Sequence, residues 1–294
     1  MSGSGDTLHR FFFEHADVRG ELIQIDQTLD EVLGRRSYPD AVNRLVGEAL
    51  AAAGLLSAII KFRGSLILQI QGGEGPLRML VASANHEQTM RGLARLGDDP
   101  VTDAPLHELC GGGYLAITID PSDSDDRYQG IVPVESERLD AAVAEYFAQS
   151  EQLPTRVWLA CDGERAAGLL LQRLPAGADS DPDAWERAGH LAATVTRDEL
   201  LHLGPEAMLQ RLFHEESIRL MPGSSVRFGC HCTRERLGGV LQGMGHAEMQ
   251  ALLAEQGHVE ATCEFCGTVY RFDAVDVEQL FHEGGSEPPD DTRH

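Results

Sequence analysis

Two short stretches near the C-terminal end decide how the last part of the chain folds: FGCHCTRER at residues 228–236 and TCEFCGTVY at residues 262–270. Each carries a cysteine pair, Cys230 with Cys232 and Cys263 with Cys266, so four of the six cysteines lie in two tight pairs. Zinc favours thiolate ligands, and two close pairs can supply the four ligands of a tetrahedral site. The pattern therefore predicts a zinc site made of these four cysteines.

The spacing of the first pair leaves the role of this site open. Structural zinc sites usually separate paired cysteines by about two to four residues, whereas a single residue lies between Cys230 and Cys232. A disulfide across so short a segment is strained and easily reduced, so the site can lose zinc on oxidation and recover it on reduction. An inert zinc clip fits the same spacing. Three histidines are alternative ligands, although surface positions are expected for them: His231, His246 and His258.

The composition limits the partners and the compartment of the protein. The chain of 294 residues has 24 Lys and Arg against 47 Asp and Glu, a net charge of −23, and such a surface repels the phosphates of nucleic acids. The N-terminal sequence lacks the pattern of a signal peptide, and no uninterrupted apolar run reaches the ~20 residues of a membrane helix. We therefore expect a cytoplasmic protein that binds neither nucleic acid nor membranes. In a reducing compartment, paired cysteines indicate metal ligands or redox centres.

The apolar pattern predicts an α+β fold in three parts. Residues 1–176 are expected to form a mixed α/β core domain with a largely antiparallel sheet, because strand-like runs follow one another without strict alternation with helices. Residues 177–224 are predicted to form a helical linker. Residues 225–294 are predicted to form a zinc-binding domain of two short helices and a disordered acidic tail. Few aliphatic residues lie in this last part, so zinc is expected to supply on the order of 10 kcal/mol of its folding free energy.

Several local signals within these parts can be compared with a structure. The run AIIKFRG (58–64) is predicted to be a strand that forms a hairpin with SLILQIQGG (65–73), and a second hairpin is predicted to turn at Asp162-Gly163. Cys161 is expected to be a buried core thiol and Cys110 to lie in an exposed loop. No hydrolase, kinase or phosphate-loop motif occurs in the sequence, which indicates that the protein is not an enzyme.

The linker contains the clearest helix signals. Thr196 and Glu199 have the spacing of a capping box, and Gly204-Pro205 ends one helix and begins the next. The second helix carries an apolar stripe that either docks on the N-terminal domain or belongs to a two-state element that can undock. The sequence does not decide between these alternatives. The stripe consists of Met208, Leu209, Leu212 and Phe213.

Beyond the cysteines, the chain resembles the 33 kDa chaperonin family, the redox-regulated bacterial heat-shock chaperones. The resemblance covers roughly residues 8–282. Its motifs occur in the family's order: DVRGEL, GPLRMLV, LAITIDP, YQGIVPV, YFAQSEQLPTRVWLA, AAGLLLQRLP, LLHLGPEAMLQRLFHEE and the two cysteine stretches.

The resemblance implies a specific function and mechanism. It implies an ATP-independent holdase for unfolding client proteins, inactive while it is reduced and holds one Zn²⁺ per chain on Cys230, Cys232, Cys263 and Cys266. Oxidation would form the disulfides Cys230–Cys232 and Cys263–Cys266, release zinc, loosen the redox-sensitive linker and allow a homodimer to form. His231 would be placed to tune the reactivity of the thiolates. The alternative is a protein-binding zinc-ribbon module whose zinc site is structural and does not switch.

Overall fold

The structure is a computed structural model that describes residues 5–59, 63–123, 127–150, 153–175 and 181–283. The chain divides into two compact units, Met1–Gly229 and Cys230–His294. The predicted α+β class is confirmed, because both units combine helices with antiparallel strands. The division into 1–176, 177–224 and 225–294 stays a prediction. The tail predicted to be disordered, from residue 284, lies outside the described residues.

The strands of the first unit are β1 (Thr7–Phe13), β2 (Val18–Ile25), β3 (Gly64–Gly72), β4 (Leu77–Asn85), β5 (Thr89–Leu96), β6 (Gly113–Pro121), β7 (Tyr128–Pro133), β8 (Thr155–Cys161), β9 (Ala166–Arg173), β10 (Ile218–Leu220), β11 (Ser224–Ser225) and β12 (Arg227–Phe228). Its helices are α1 (Gln27–Leu33), α2 (Asp40–Ile59), α3 (Leu106–Cys110), α4 (Leu139–Ser150), α5 (Ala184–Ala192), α6 (Arg197–His202) and α7 (Pro205–Phe213).

These strands form two sheets. In the first sheet the order is β10-β1-β2-β9-β8, with β11 also paired to β1. In the second sheet the order is β12-β5-β4-β3-β6-β7. Every pairing is antiparallel except that of β12 with β5, as the succession of strand-like runs in the sequence predicted.

Helix α2 lies between the two sheets and contacts strands of both. Two glycines on the helix allow the first sheet to approach closely. A Cβ at Gly47 would lie 2.3 Å from Cys161 Sγ, and a Cβ at Gly54 would lie 2.4 Å from Ile23 Cδ1. Because such distances are shorter than any van der Waals contact, larger side chains at these positions would push the helix away from the sheet.

Helix α2 also has the length and composition of a membrane span. Within the described residues it is the one candidate, with 20 residues and a mean hydropathy of 1.3. The sequence did not indicate a membrane helix here, because polar residues such as Glu48 interrupt the apolar run. In the structure 78% of the apolar window is buried inside the protein, as in the core helix of a globular fold.

The helices of the predicted linker pack on the outer side of the first sheet. The stripe Met208, Leu209, Leu212 and Phe213 is buried in one apolar cluster with Phe11 and Phe13 of β1. The Phe213 ring centroid lies 5.1 Å from that of Phe13. Of the two alternatives that the sequence left open, the structure therefore has the docked arrangement.

Polar contacts define the ends of α6 in this docked arrangement. The capping box is present: the backbone N–H of Glu199 donates to Thr196 Oγ1 at 3.2 Å, and the backbone N–H of Thr196 donates to Glu199 Oε2 at 2.9 Å. At the other end, Gln24 Nε2 on β2 donates to the carbonyls of Leu200 at 3.0 Å and Leu203 at 2.8 Å. One partly buried side chain thus satisfies two carbonyls that a helix end leaves without partners.

Two sequence predictions about the first unit are wrong. Ala58 and Ile59 belong to α2, and β3 pairs with β4 and β6, so the hairpin between 58–64 and 65–73 does not form; residues 60–62 lie outside the described residues. The β-branched isoleucine favoured a strand locally, but burial against the core extends the helix through it. The second predicted hairpin, β8–β9, is confirmed.

Cys110 is the other wrong prediction. It ends α3 and is fully buried, because the short helix turns its last side chain into the core before Gly111 takes the left-handed conformation at φ 58°. Burial raises the pKa of Cys110 to about 11 and that of Cys161, buried as predicted, to about 12. Both thiols therefore keep their protons near neutral pH, whereas a reactive cysteine is ionised there.

The second unit is described from Cys230 to Glu283. Its elements are α8 (Arg234–Met244), α9 (His246–Gln256), β13 (Val259–Thr262), β14 (Val269–Phe272) and α10 (Ala274–Glu283). The two predicted helices are α8 and α9, with breaks at Gly245 and Gly257, both of positive φ. The buried apolar core of this unit is small and consists of Leu241, Met249, Val259, Phe272 and Val277.

A cavity of about 420 Å³ lies in the first unit where α6 approaches β8. Glu48 of α2, Arg138, Trp158, Thr196 and Arg197 are among the residues that line it. Burial raises the pKa of Glu48 to about 7; Asp140 acts in the same direction, and three arginines, with Arg197 foremost, oppose it. A carboxyl group beneath the docked linker is thus held close to its titration point at neutral pH.

Replacing Glu48 by Gln is expected to remove a pH-dependent loss of stability from the first unit. Native Glu48 keeps its proton up to about pH 7, whereas the unfolded chain releases it near the ordinary value of 4.5. The stabilisation is therefore complete below pH 4.5 and is lost as the pH rises through about 7, by on the order of 2 kcal/mol. Urea unfolding at about pH 5 and about pH 8 measures this loss.

Tryptophan fluorescence restricts this measurement to the first unit, because the chain has two tryptophans, Trp158 and Trp185, and both lie there. Glu145→Gln, which changes an exposed carboxylate on α4, is the matched control and should keep the wild-type pH dependence. If Glu48→Gln loses as much stability between the two pH values as the wild type, Glu48 is not the titrating group.

Candidate metal centre

The structure brings the four predicted cysteines together. All four Sγ atoms lie within 4.8 Å of one another. Two of these separations join the two stretches: Cys230 Sγ lies 3.6 Å from Cys263 Sγ, and Cys232 Sγ lies 3.3 Å from Cys266 Sγ. Cys263 is buried and the other three are partly buried. The group is therefore a closed cluster to which both segments contribute.

The size of this cluster fits a tetrahedral metal site. Zinc–sulfur bonds of about 2.3 Å imply sulfur–sulfur separations of about 3.8 Å around one ion. The separations of 3.6 and 3.3 Å are slightly below this value, and all six lie within 4.8 Å. Four soft ligands at these separations are the donor set that zinc prefers.

The second cysteine pair lies in the turn of the β13–β14 hairpin. The backbone N–H of Cys263 donates to the carbonyl of Thr268 at 2.9 Å, and the N–H of Gly267 donates to the carbonyl of Cys263 at 2.8 Å. Gly267 has φ 73°, in the left-handed region that favours glycine. The segment CEFCG therefore forms a tight turn, and this turn brings both of its thiols into the cluster.

The first cysteine pair directly precedes helix α8. Thr233 caps this helix by accepting a hydrogen bond from the backbone N–H of Arg236 at 3.2 Å, and the Arg236 guanidinium donates to the carbonyl of His231 at 2.9 Å. The helix thus begins two residues after Cys232, so its positive end and the charge of Arg236 lie next in the chain to the thiols.

Two side chains of the hairpin contact the sulfur atoms. The Tyr270 hydroxyl donates to the carbonyl of Cys232 at 3.1 Å and lies 3.4 Å from its Sγ, while Thr268 Oγ1 lies 3.2 Å from Cys266 Sγ. Tyr270 therefore joins the hairpin to the first cysteine pair, at Cys232. The sequence analysis missed both residues, although they follow the second cysteine pair directly in CGTVY.

The thiols of the cluster differ in acidity. Burial, together with the neighbouring sulfurs, raises the pKa of Cys232 to about 12. Burial also acts to raise the pKa of Cys266, but hydrogen bonds with Thr268 and Cys232 outweigh it and lower this pKa to about 6. Cys266 is therefore the more acidic thiol of this close pair, and ionising Cys232 beside it would bring together two negative charges that repel. A cation at the centre would remove that repulsion.

The histidines considered as alternative ligands are not part of the cluster. His246 Nε2 lies 2.9 Å from Glu278 Oε1, and His258 Nε2 lies 3.1 Å from Glu260 Oε1, so both rings have carboxylate partners. Among the described residues, the metal-binding group that contains the cysteines consists of these four alone and excludes His231 as well.

Comparison with known proteins shows a similarity that covers almost the whole chain. The family model described as Hsp33 protein matches residues 6–273. A 33 kDa chaperonin from Nitrosococcus oceani is 49% identical over 289 residues, which are 98% of this chain and 99% of the relative. Proteins of the same name from Pseudomonas fluorescens and Shewanella baltica are 45% and 44% identical, with 98% and 95% of this chain covered and 98% and 96% of theirs.

The fold is also found in a solved structure. The crystal structure of the 33 kDa chaperonin, a heat shock protein 33 homologue, from Thermotoga maritima superposes with a TM-score of 0.77 over 96% of this chain and 99% of that one. At 22% identity this match concerns the fold alone. The family model and the near-full-length relatives decide the assignment: the chain belongs to the Hsp33 family of 33 kDa chaperonins.

Proposed function

We propose that this protein is a redox-regulated, ATP-independent holdase whose four-cysteine cluster is both its zinc site and its switch. In the reduced state, one Zn²⁺ per chain would be bound by Cys230, Cys232, Cys263 and Cys266. The observation that carries the proposal is this cluster of four sulfurs in a unit with very little other core. Membership of a chaperonin family supports unfolding proteins as the clients.

The size of the core explains why zinc would control the fold of the second unit. Burying one aliphatic or aromatic side chain contributes roughly 1.5–3 kcal/mol, so the five buried side chains of this unit fall far short of the entropy cost of ordering its chain. Zinc bound to four thiolates contributes on the order of 10 kcal/mol. Loss of the metal would therefore unfold the unit, and the folded unit would act as a latch.

Oxidation would open this latch. Each disulfide forms when two thiolates give up two electrons; hypochlorite accepts them and becomes chloride and hydroxide, so two equivalents convert both pairs. Following the family, we assign the disulfides as Cys230–Cys232 and Cys263–Cys266, although close sulfur contacts also join Cys230 to Cys263 and Cys232 to Cys266. Peptide mapping of the oxidised protein distinguishes these pairings.

The linker would supply the client-binding surface once the latch is open. Its apolar stripe and the phenylalanines beneath it are buried in the docked arrangement, and undocking would expose both groups to solvent. Exposed apolar surface of this kind binds unfolded chains and also favours association of two copies. We propose a homodimer in the oxidised state, a cytoplasmic location, and a function that involves no catalysis, nucleic acid or membrane. A net charge of −23 would keep the opened protein soluble.

The first prediction of the proposed function is that oxidation alone activates the protein as a chaperone. Light scattering from a heat-unfolding client, recorded without nucleotide, should be suppressed by protein treated with hypochlorite and not by reduced, zinc-loaded protein. The physical reason is that the apolar stripe becomes accessible only after the cluster has lost its metal. Equal activity in both states, with zinc retained, would instead support a protein-binding module with a structural zinc site.

The second prediction concerns Cys230→Ser. Removing one of four thiolates should weaken zinc binding and give partial chaperone activity without oxidant, because the latch is already loosened. Zinc content and client light scattering are measured on the same reduced sample. Cys110→Ala, which removes a thiol from the core of the first unit, is the matched control and should keep wild-type zinc content. A Cys230→Ser protein that is fully zinc-loaded and inactive would contradict the latch.

The third prediction concerns Tyr270→Phe. This variant keeps the ring but loses the hydroxyl that binds the Cys232 carbonyl, so the first cysteine pair is held less firmly. Groups that orient metal ligands typically contribute about 10- to 100-fold to affinity, and we expect the affinity for zinc to fall by about tenfold in competition with a chelator. Tyr128→Phe, at an exposed tyrosine of the first unit, should leave the affinity unchanged. Unchanged affinity in both variants would show that the hydroxyl has no role at the site.

A further inference from the structure

Helix α8 contains three glycines, a residue that lowers the stability of a helix. Gly238, Gly239 and Gly243 all lie inside Arg234–Met244, and none of them has a positive φ that would require glycine. Each glycine inside a helix costs about 1 kcal/mol relative to alanine, because the unfolded chain loses more conformational freedom on folding. A helix this short has little propensity to offset such a cost.

The surroundings of the three glycines separate one of them from the other two. A Cβ at Gly238 would lie 2.7 Å from Leu280 Cδ2, so glycine there allows α8 to pack against α10. At Gly239 and Gly243 no heavy atom lies within 4 Å of where a Cβ would be. Neither packing nor backbone conformation accounts for glycine at these two positions, and their remaining physical effect is to weaken the helix.

The position of α8 in the chain makes its low stability important for the second unit. The helix begins two residues after Cys232, and the chain must pass through it and α9 before it reaches Cys263. Leu241 is its buried contribution to the small core, and Gln242 hydrogen-bonds the Leu280 carbonyl. Of its other large apolar side chains, Leu237 is partly buried, whereas Val240 and Met244 are 66% and 50% exposed and add little. Apart from these contacts, α8 is held by Arg234, which forms an ion pair with Asp276 and lies over the Phe272 ring, and by the cysteine cluster that precedes it.

We propose that Gly239 and Gly243 are a built-in weak point of the second unit, which sets how readily the unit unfolds once the cysteine cluster is broken. The proposal rests on the latch described above and adds the residues that determine its threshold. With alanine at both positions, α8 would remain folded more often after the metal is lost. Opening of the switch would then be slower.

The test compares the full-length double variant Gly239→Ala/Gly243→Ala with wild type and with Gly238→Ala. Amide hydrogen exchange over residues 234–244 of the reduced, zinc-supplemented protein reports the stability of α8 without any client. We expect exchange to slow by roughly twentyfold in the double variant, from the two helix propensities together. In Gly238→Ala, where the new methyl group meets Leu280, exchange should become faster.

A second measurement connects the helix to the switch. At a fixed peroxide concentration and temperature, the half-time for activation against a heat-unfolding client should lengthen severalfold in the double variant. Unchanged exchange in the double variant overturns the proposal, and so does slower exchange with an unchanged activation half-time. If wild type is not activated by oxidant at all, the proposed function fails, and the exchange data still decide whether the two glycines weaken the helix.

Discussion

The second unit depends on one constraint: its apolar core of five buried side chains is too small to hold it together. Four sulfur atoms from two distant segments lie within 4.8 Å of one another, and the hairpin turn, the cap of α8 and Tyr270 all serve to place them there. A fold supported mainly by one cluster of thiols responds to whatever changes those thiols. Metal loss and oxidation are the two chemical events that do so directly.

The first unit has the opposite character. Helix α2 is enclosed by two sheets, and Gly47 and Gly54 bring it so close to the first sheet that a Cβ at either position would clash with a strand side chain. Its outer layer is formed by α5 to α7, which cover the first sheet. That layer is attached by an apolar stripe, by Gln24 and across a cavity that contains a titratable Glu48. A buried core covered by a docked apolar stripe is the arrangement from which the proposed function would release a binding surface.

Much of the candidate site could be predicted from the sequence. The capping box at Thr196, the turn at Gly267 and the cysteine pairs are short-range patterns, in which neighbours in the chain determine the geometry. Predictions failed where distant contacts outweigh local preference. Ile59 joins a helix because the core buries it, and the glycines after Cys110 suggested an exposed loop although a short helix turns that thiol inward. Tyr270 escaped notice because its partner, Cys232, is far away in sequence.

Residue types at fixed spacings were enough to establish the α+β class and the family, and they predicted a zinc site at the four cysteines. Only the tertiary structure decided that the linker stripe is docked, that the histidines lie outside the cluster, and that Gly238 is packed while Gly239 and Gly243 are not. The physical reason is the same in each case. Burial and contact between residues far apart in the chain are properties of the folded arrangement, and no local pattern encodes which distant surface a side chain will meet.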